Sequence, residues 1–216
     1  RVKNKHLSSS QIIIFGFLGA ILLGTLLLML PISSTSGKVT PFSDSLFTAT
    51  SAVCVTGLVV HDTATYWSMF GQFVIMLLIQ VGGLGVVTIA VATAMISGRK
   101  IGLMQRSTMQ EAISAPKVGG IVKLTSIILK ITFLIELVGA ALMSIVFCRD
   151  FGVKGIWLAV FHSVSAFCNA GFDLMGTISP FSSLTSYQTE PIINIVVMFL
   201  IVVGGIGFLV WEDIVT

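Results

Sequence analysis

Two short runs hold the residues of this chain best suited to handling an ion. Ser51–Leu58 reads SAVCVTGL and Ser165–Phe172 reads SAFCNAGF, so that Phe47, Ser51, Ala52, Cys54 and Gly57 fall without a gap on Phe161, Ser165, Ala166, Cys168 and Gly171, 114 residues later. A second pair, Met76–Gly85 (MLLIQVGGLG) and Met198–Gly207 (MFLIVVGGIG), repeats at an offset of 122, which makes the loop after the second run eight residues longer. The chemistry on offer is that of the backbone. Val53, Val55 and Thr56 are β-branched and favour extended chain, and Gly57 permits a conformation closed to other residues. Carbonyls of such a segment can take the place of an ion's hydration shell. The second run has Asn169 and Ala170 where the first has Val55 and Thr56, a loose match that points to carbonyls rather than side chains as the coordinating groups. Both keep glycine. The three cysteines, Cys54, Cys148 and Cys168, have neither disulfide-framework nor metal-ligand spacing.

The elements that must position these runs are membrane helices. Hydrophobic residues make up 55% of the chain and charged ones 10%, too few to solvate the surface of a soluble domain. Four segments reach the roughly 20 apolar residues of a spanning helix: Gln11 to Leu30, Phe70 to about Ser97, about Leu124 to Phe147, and Ile192 to Val210. The first is too long for the apolar core of a signal peptide and is closed by Pro31 rather than a small-residue cleavage site. Arg1, Lys3, Lys5 and His6 precede it, and Ser97–Lys123 carries Arg99, Lys100, Arg106, Lys117 and Lys123 against Glu111 alone. Both basic segments therefore face the cytoplasm, and the short apolar stretch between the first two spans enters and leaves from outside.

That stretch, Phe42 to Val60, reads as a half-helix followed by extended chain. Ser43 and Asp44 resemble a helix start, with a cap and an acid at the positive end of the dipole. In the second half, Gly155 to Ala166 would be helical and Phe167 to Gly171 extended. Non-helical backbone at membrane depth survives only when buried in protein or lining a watery cavity, so each segment implies a pore or binding site. The fold class expected is an all-α membrane protein of tandem repeats, 1–112 and 113–216, each a transmembrane helix, a re-entrant pore half-helix with an extended filter loop, and a second transmembrane helix.

TSAVCVTGL at Thr50–Leu58, SAFCNAGFDL at Ser165–Leu174 and GRKIGLMQRSTMQEA at Gly98–Ala112 resemble the Trk/Ktr/HKT superfamily of potassium transporters, most closely the membrane (KtrB-type) subunit of bacterial Ktr systems. The resemblance implies a potassium-translocating subunit in the cell membrane, with four helix, pore-loop, helix repeats around one pore; two are present here. It implies that Cys54, Val55, Thr56 and Gly57, and Cys168, Asn169, Ala170 and Gly171, are filter backbone. Glycine rather than serine at the first filter is the version associated with potassium over sodium. No cofactor beyond the transported K+ is implied, with Na+ as activator or co-ion. The implied partners are the lipid bilayer, a second copy in a homodimer, and a cytosolic nucleotide-binding ring of KtrA type reached through the Gly98–Lys123 linker; nucleic acid is not among them. The same linker also reads as a weakly amphipathic helix on the membrane surface.

The remaining residues have plainer readings. Gly82, Gly83, Gly85, Gly204, Gly205 and Gly207 suit close packing of the second helix of each repeat against the pore loop, or bending of it. Cys54 and Cys168 suit small packing roles. His61 and His162 read as solvated or internally satisfied, and Glu136, costly within a span, reads as needing a polar partner, for which Lys130 is poorly spaced. A tandem-pore channel completing its filter by dimerisation would lack the TVGYG-type double glycine, and an intramembrane enzyme would need a nucleophile and base or paired acids.

Overall fold

The computed structural model describes residues 9–85 and 121–207, together with Thr88, Gln110 and Val210. Helices α1 (Ser9–Met29), α2 (Phe42–Val53), α3 (Thr63–Tyr66) and α4 (Met69–Leu84) are followed by α5 (Ile121–Phe151), α6 (Lys154–Phe167) and α7 (Pro191–Gly205). Among the described residues there is no strand, only an isolated antiparallel bridge between Ser34 and Trp67. The fold is all-helical.

Helices α1 and α5 are long and apolar enough to cross a membrane; 21 residues of α1 at about 1.5 Å each span about 30 Å. Its exposed face carries Ile14, Phe15, Leu18, Leu22 and Leu26, and that of α5 carries Phe133, Leu134, Leu137 and Ile145. An apolar surface this continuous has hydrocarbon, not water, as its natural solvent. The expected second and fourth spans begin as α4 and α7. The former stops at Gly85 and the latter just past Gly205, and residues 86–97 and 208–210 of the expected spans lie outside the described residues apart from Thr88 and Val210. The basic amino terminus and nearly all of the Gly98–Lys123 linker also lie outside them.

The packing falls into two triads. Helix α2 lies against α1 and α4, which also touch each other, and α6 lies likewise against α5 and α7; α4 meets α6 across the seam. Buried Leu28, Ala49, Ile75 and Ile79 fill the first triad, and Met143, Phe147, Phe161, Ile193 and Leu200 the second.

Two local expectations are corrected. Helix α2 starts one residue earlier than Ser43, from Pro41 in the cap position with no side-chain cap. Proline's fixed φ aims the chain into the helix, and the Ser43 hydroxyl instead donates to Asp44 (3.0 Å). Helix α6 runs from Lys154 to Phe167, a residue beyond the expected half-helix at each end.

Candidate functional site

Helices α2 and α6 end in the same way. The Val55 N–H donates to Ala52 O (3.2 Å) and the Thr56 N–H to Ser51 O (2.9 Å); the Asn169 N–H donates to Ala166 O (3.1 Å) and the Ala170 N–H to Ser165 O (2.8 Å). These are paired Schellman closures, in which the residue after the cap turns left-handed and the last carbonyls of the helix are satisfied by the returning chain. Val55 (φ 49°) and Asn169 (φ 56°) take that position. Neither is extended, contrary to what β-branching at Val55 suggests. Asparagine tolerates this conformation, whereas a β-branched valine there is an outlier.

Two residues on, Gly57 (φ 72°) and Gly171 (φ 73°) are left-handed again. The two turns, from separate triads, meet at these glycines. A Cβ on Gly57 would lie 2.6 Å from the Ala170 carbonyl oxygen and 3.1 Å from the Gly171 Cα, and one on Gly171 would lie 3.4 Å from the Gly57 Cα. Only hydrogen fits on the Gly57 side. Among the described residues no hydrogen bond ends on the carbonyl oxygens of 54–57 or 168–171. The turns thus present carbonyls that no hydrogen bond among the described residues claims, each turn at the negative end of a helix dipole.

The surrounding residues hold each turn by its own means. Ser51 and Thr56 exchange a hydroxyl hydrogen bond of 2.9 Å. In the second turn the Ser165 hydroxyl donates to Phe172 O (2.6 Å), and the Asn169 amide donates to Ile201 O (3.3 Å) on α7. His162, buried on α6, accepts from the Leu174 N–H through Nε2 (3.2 Å). A backbone N–H can only donate, so the proton sits on Nδ1, which donates to Leu158 O (2.7 Å). His162 is satisfied at both nitrogens. A cavity of about 270 Å³ opens beside this turn, lined in part by His162, Asn169, Gly171 and Asp173.

The second glycine runs abut the helix ends. A Cβ on Gly82 would collide with the Val53 carbonyl, and one on Gly204 with the Phe167 carbonyl, the last helical residue in each case. Gly83 faces the Cys168 sulfur, and Gly205 lies near the Asn169 amide. Gly85 (φ 81°) and Gly207 (φ 93°) stand just beyond the ends of α4 and α7. Cys168 is buried and Cys54 exposed, and both are free thiols.

The polar residues nearby are matched. The Gln80 amide on α4 donates to Glu136 Oε1 (2.9 Å), and the Ser163 hydroxyl on α6 donates to Glu136 O (2.7 Å), so Glu136 ties three helices together. Gln80, 56 residues away, is the partner that sequence spacing did not reveal. His61 Nε2 lies 2.8 Å from Asp44 Oδ2 and stacks on Tyr66 at 3.9 Å. Hydrogen bonds from His61 and Ser43 hold the Asp44 carboxyl below the usual carboxylate range. Among the described residues no group of three metal-ligating side chains exists.

Residues 5–216 match the family model TrkH, described as cation transport protein. The chain is 48% identical over 211 residues to the potassium/sodium uptake protein NtpJ of Enterococcus hirae, covering 97% of this chain and 46% of that protein. It is 44% identical to the Ktr system potassium uptake protein B of Bacillus subtilis (99% and 46% covered) and 35% identical to its namesake in Vibrio alginolyticus (94% and 44%). The chain spans about half the length of these curated relatives. The glycines of two repeated helix-end turns are thus apposed in a body of apolar helices, and the chain is a member of the TrkH family of cation transport proteins.

Proposed function

We propose that this chain contributes two of the four repeats of a potassium-translocating membrane subunit of a Ktr-type uptake system, residues 1–112 and 113–216. Each repeat is a helix, a re-entrant half-helix with its turn, and a helix. The turns 54–57 and 168–171 are two strands of a selectivity filter. The observation that carries this reading is the apposition of Gly57 and Gly171, with the preceding Val55 and Asn169 both left-handed and no hydrogen bond among the described residues ending on the carbonyls of either turn. Left-handed residues at every second position, 55 and 57 in one turn and 169 and 171 in the other, leave carbonyls free to replace the water stripped from a potassium ion. Unlike side chains, they need no charge of their own, and the dipoles of α2 and α6 add negative potential at the same point.

In this reading the half-helices enter from outside, and the amino terminus and the Gly98–Lys123 linker face the cytoplasm. A homodimer and a cytosolic nucleotide-binding ring are the assembly partners, and sodium acts as co-ion or activator; the names of the relatives, which include potassium/sodium uptake, support the ion pair. A tandem-pore channel that closes its filter by dimerising is the second reading. Relatives roughly twice as long as the matched region favour four repeats in one polypeptide.

The test is potassium uptake at limiting concentration by a transport-deficient cell that expresses the complete protein, wild type beside Gly57→Ser. A sharp fall in uptake, or in preference over sodium, at normal membrane abundance is the expected result. Unchanged uptake and preference would mean that the glycine is structural only and would sink the filter assignment.

A further inference from the structure

The two turns are also fastened to each other farther along. Five residues past Gly57 stands Asp62, and five residues past Gly171 stands Gly176, so the two occupy the same place in the repeat. They touch. A Cβ on Gly176 would fall on the Asp62 carboxylate. Asp62 is only 8% exposed. Its Oδ1 accepts from the Ala64 N–H (3.0 Å), the Thr65 N–H (3.0 Å) and the Thr65 hydroxyl (2.9 Å), capping α3 in its own loop. Its Oδ2 turns the other way and accepts from the Phe181 N–H (2.9 Å), 119 residues along the chain.

The receiving loop is shaped for this. The eight extra residues in the second half fall between Gly171 and the second glycine run. That stretch includes the 3-10 turn Met175–Thr177 and the segment that presents Phe181. Phe181 is left-handed (φ 57°), as is Ser183 (φ 49°), an unfavourable backbone for aromatic and serine residues alike. Bonds from Ser182 N–H to Ser179 O (3.1 Å) and from the Ser182 hydroxyl to Met175 O (3.3 Å) close the segment on itself. Strain of this kind persists only where neighbours over-determine it, and here the Asp62 carboxylate supplies the restraint.

We infer that Asp62 is a positioning residue for ion selection: its carboxylate, seated on Gly176 and the Phe181 N–H, buckles the two loops together and sets the spacing of the turns that meet at Gly57 and Gly171. The inference rests on the filter reading above. Apposed strands select between ions only while their separation is held, and on the chain that leaves each turn the Asp62 contact is where one repeat grips the other.

The decisive variant is Asp62→Asn in the complete protein. The amide oxygen keeps the cap on Ala64 and Thr65, while the amide nitrogen meets the Phe181 N–H donor to donor. Gly176→Ala disturbs the same contact from the opposite side. The readout is the ratio of potassium to sodium uptake per molecule in the membrane, which a loss of stability alone does not move. Both variants should lower the ratio about tenfold, the scale of one charge-assisted hydrogen bond, and the double variant should lower it no further. Thr65→Val, which trims the local cap only, should leave the ratio as it is. An unchanged ratio in Asp62→Asn, or additive effects in the double variant, would overturn the inference. Gly57→Ser run alongside separates the two failures: if it shifts selectivity and Asp62→Asn does not, the buckle is wrong and the filter stands. If Gly57→Ser is silent, both readings fall.

Discussion

The turns that end α2 and α6 follow one backbone path with different side chains, and the difference shows which features the path requires. Both close with Schellman bonds, both place a left-handed residue at 55 or 169, and both reach a left-handed glycine two residues later. The second turn meets the first demand with asparagine, which accepts the conformation and also bonds α7. The first meets it with valine, at a cost, and leans on the Ser51–Thr56 hydroxyl pair. Glycine is the feature neither can replace. The turn is set by backbone geometry and close approach, and the side chains are local solutions to holding it.

The largest effect should separate the two glycines themselves. A left-handed conformation costs a residue with a Cβ roughly 1–2 kcal/mol, so both Gly57→Ala and Gly171→Ala lose stability. Gly57→Ala must in addition push the Ala170 carbonyl away from 2.6 Å, whereas the new methyl at 171 meets its neighbour at 3.4 Å. Potassium uptake should therefore be lost in the first and only reduced in the second; equal losses would remove the asymmetry claimed for the contact.

Removal of the side-chain hydroxyls sharpens the comparison next. Ser165→Ala orphans the buried Phe172 carbonyl and should cost about 1–3 kcal/mol, the desolvation of an unpaired group. Ser51→Ala, at a site as buried as Ser165, removes a hydroxyl whose partner, Thr56, is exposed and can turn to water, and should cost about 1 kcal/mol. Thermal unfolding of the purified complete protein in detergent gives the order.

An exchange of the left-handed residues comes third. Val55→Asn should raise stability by about 1 kcal/mol through relief of the strained backbone, and Asn169→Val should lower it by at least as much, since the bond to Ile201 is lost too. A stabilised Val55→Asn protein with poorer ion preference would show that strain at 55 serves selection; if it is not stabilised, the left-handed valine carries no strain.

The smallest effect concerns the entrance to the first half-helix. The folded protein holds the Asp44 carboxyl below its ordinary value of 3.8, so the pair with His61 stabilises at pH above that value and is lost as the pH falls through the lower folded value. Asp44→Asn should melt slightly below wild type at pH 7, and the gap should close as the pH falls below the folded value of the carboxyl. A constant gap would assign the effect to packing.

Much of this was legible in the sequence. The two long apolar helices, the repeated glycines and the helices that precede each turn follow from length and pattern, because a bilayer demands long apolar runs and a break in one is conspicuous. The form of the turns was not. Val55 reads as extended from its own preference, and only the returning bond from Thr56 to Ser51 makes it left-handed; Asn169, an asparagine just past a helix end, was the better signal. Partners distant in sequence were invisible for a plain reason. Gln80 with Glu136 and Asp62 with Phe181 are 56 and 119 residues apart, and no periodicity links such pairs.

The meeting of Asp62 with Gly176 also bears on how such a molecule can be assembled. Two copies of the first segment would set aspartate against aspartate at that point, a buried repulsion without the Phe181 N–H that now receives Oδ2. Two copies of the second would set glycine against glycine and leave nothing to grip. The contact needs unlike residues at matching places in the repeated pattern, so the two sides of this contact are complementary rather than interchangeable.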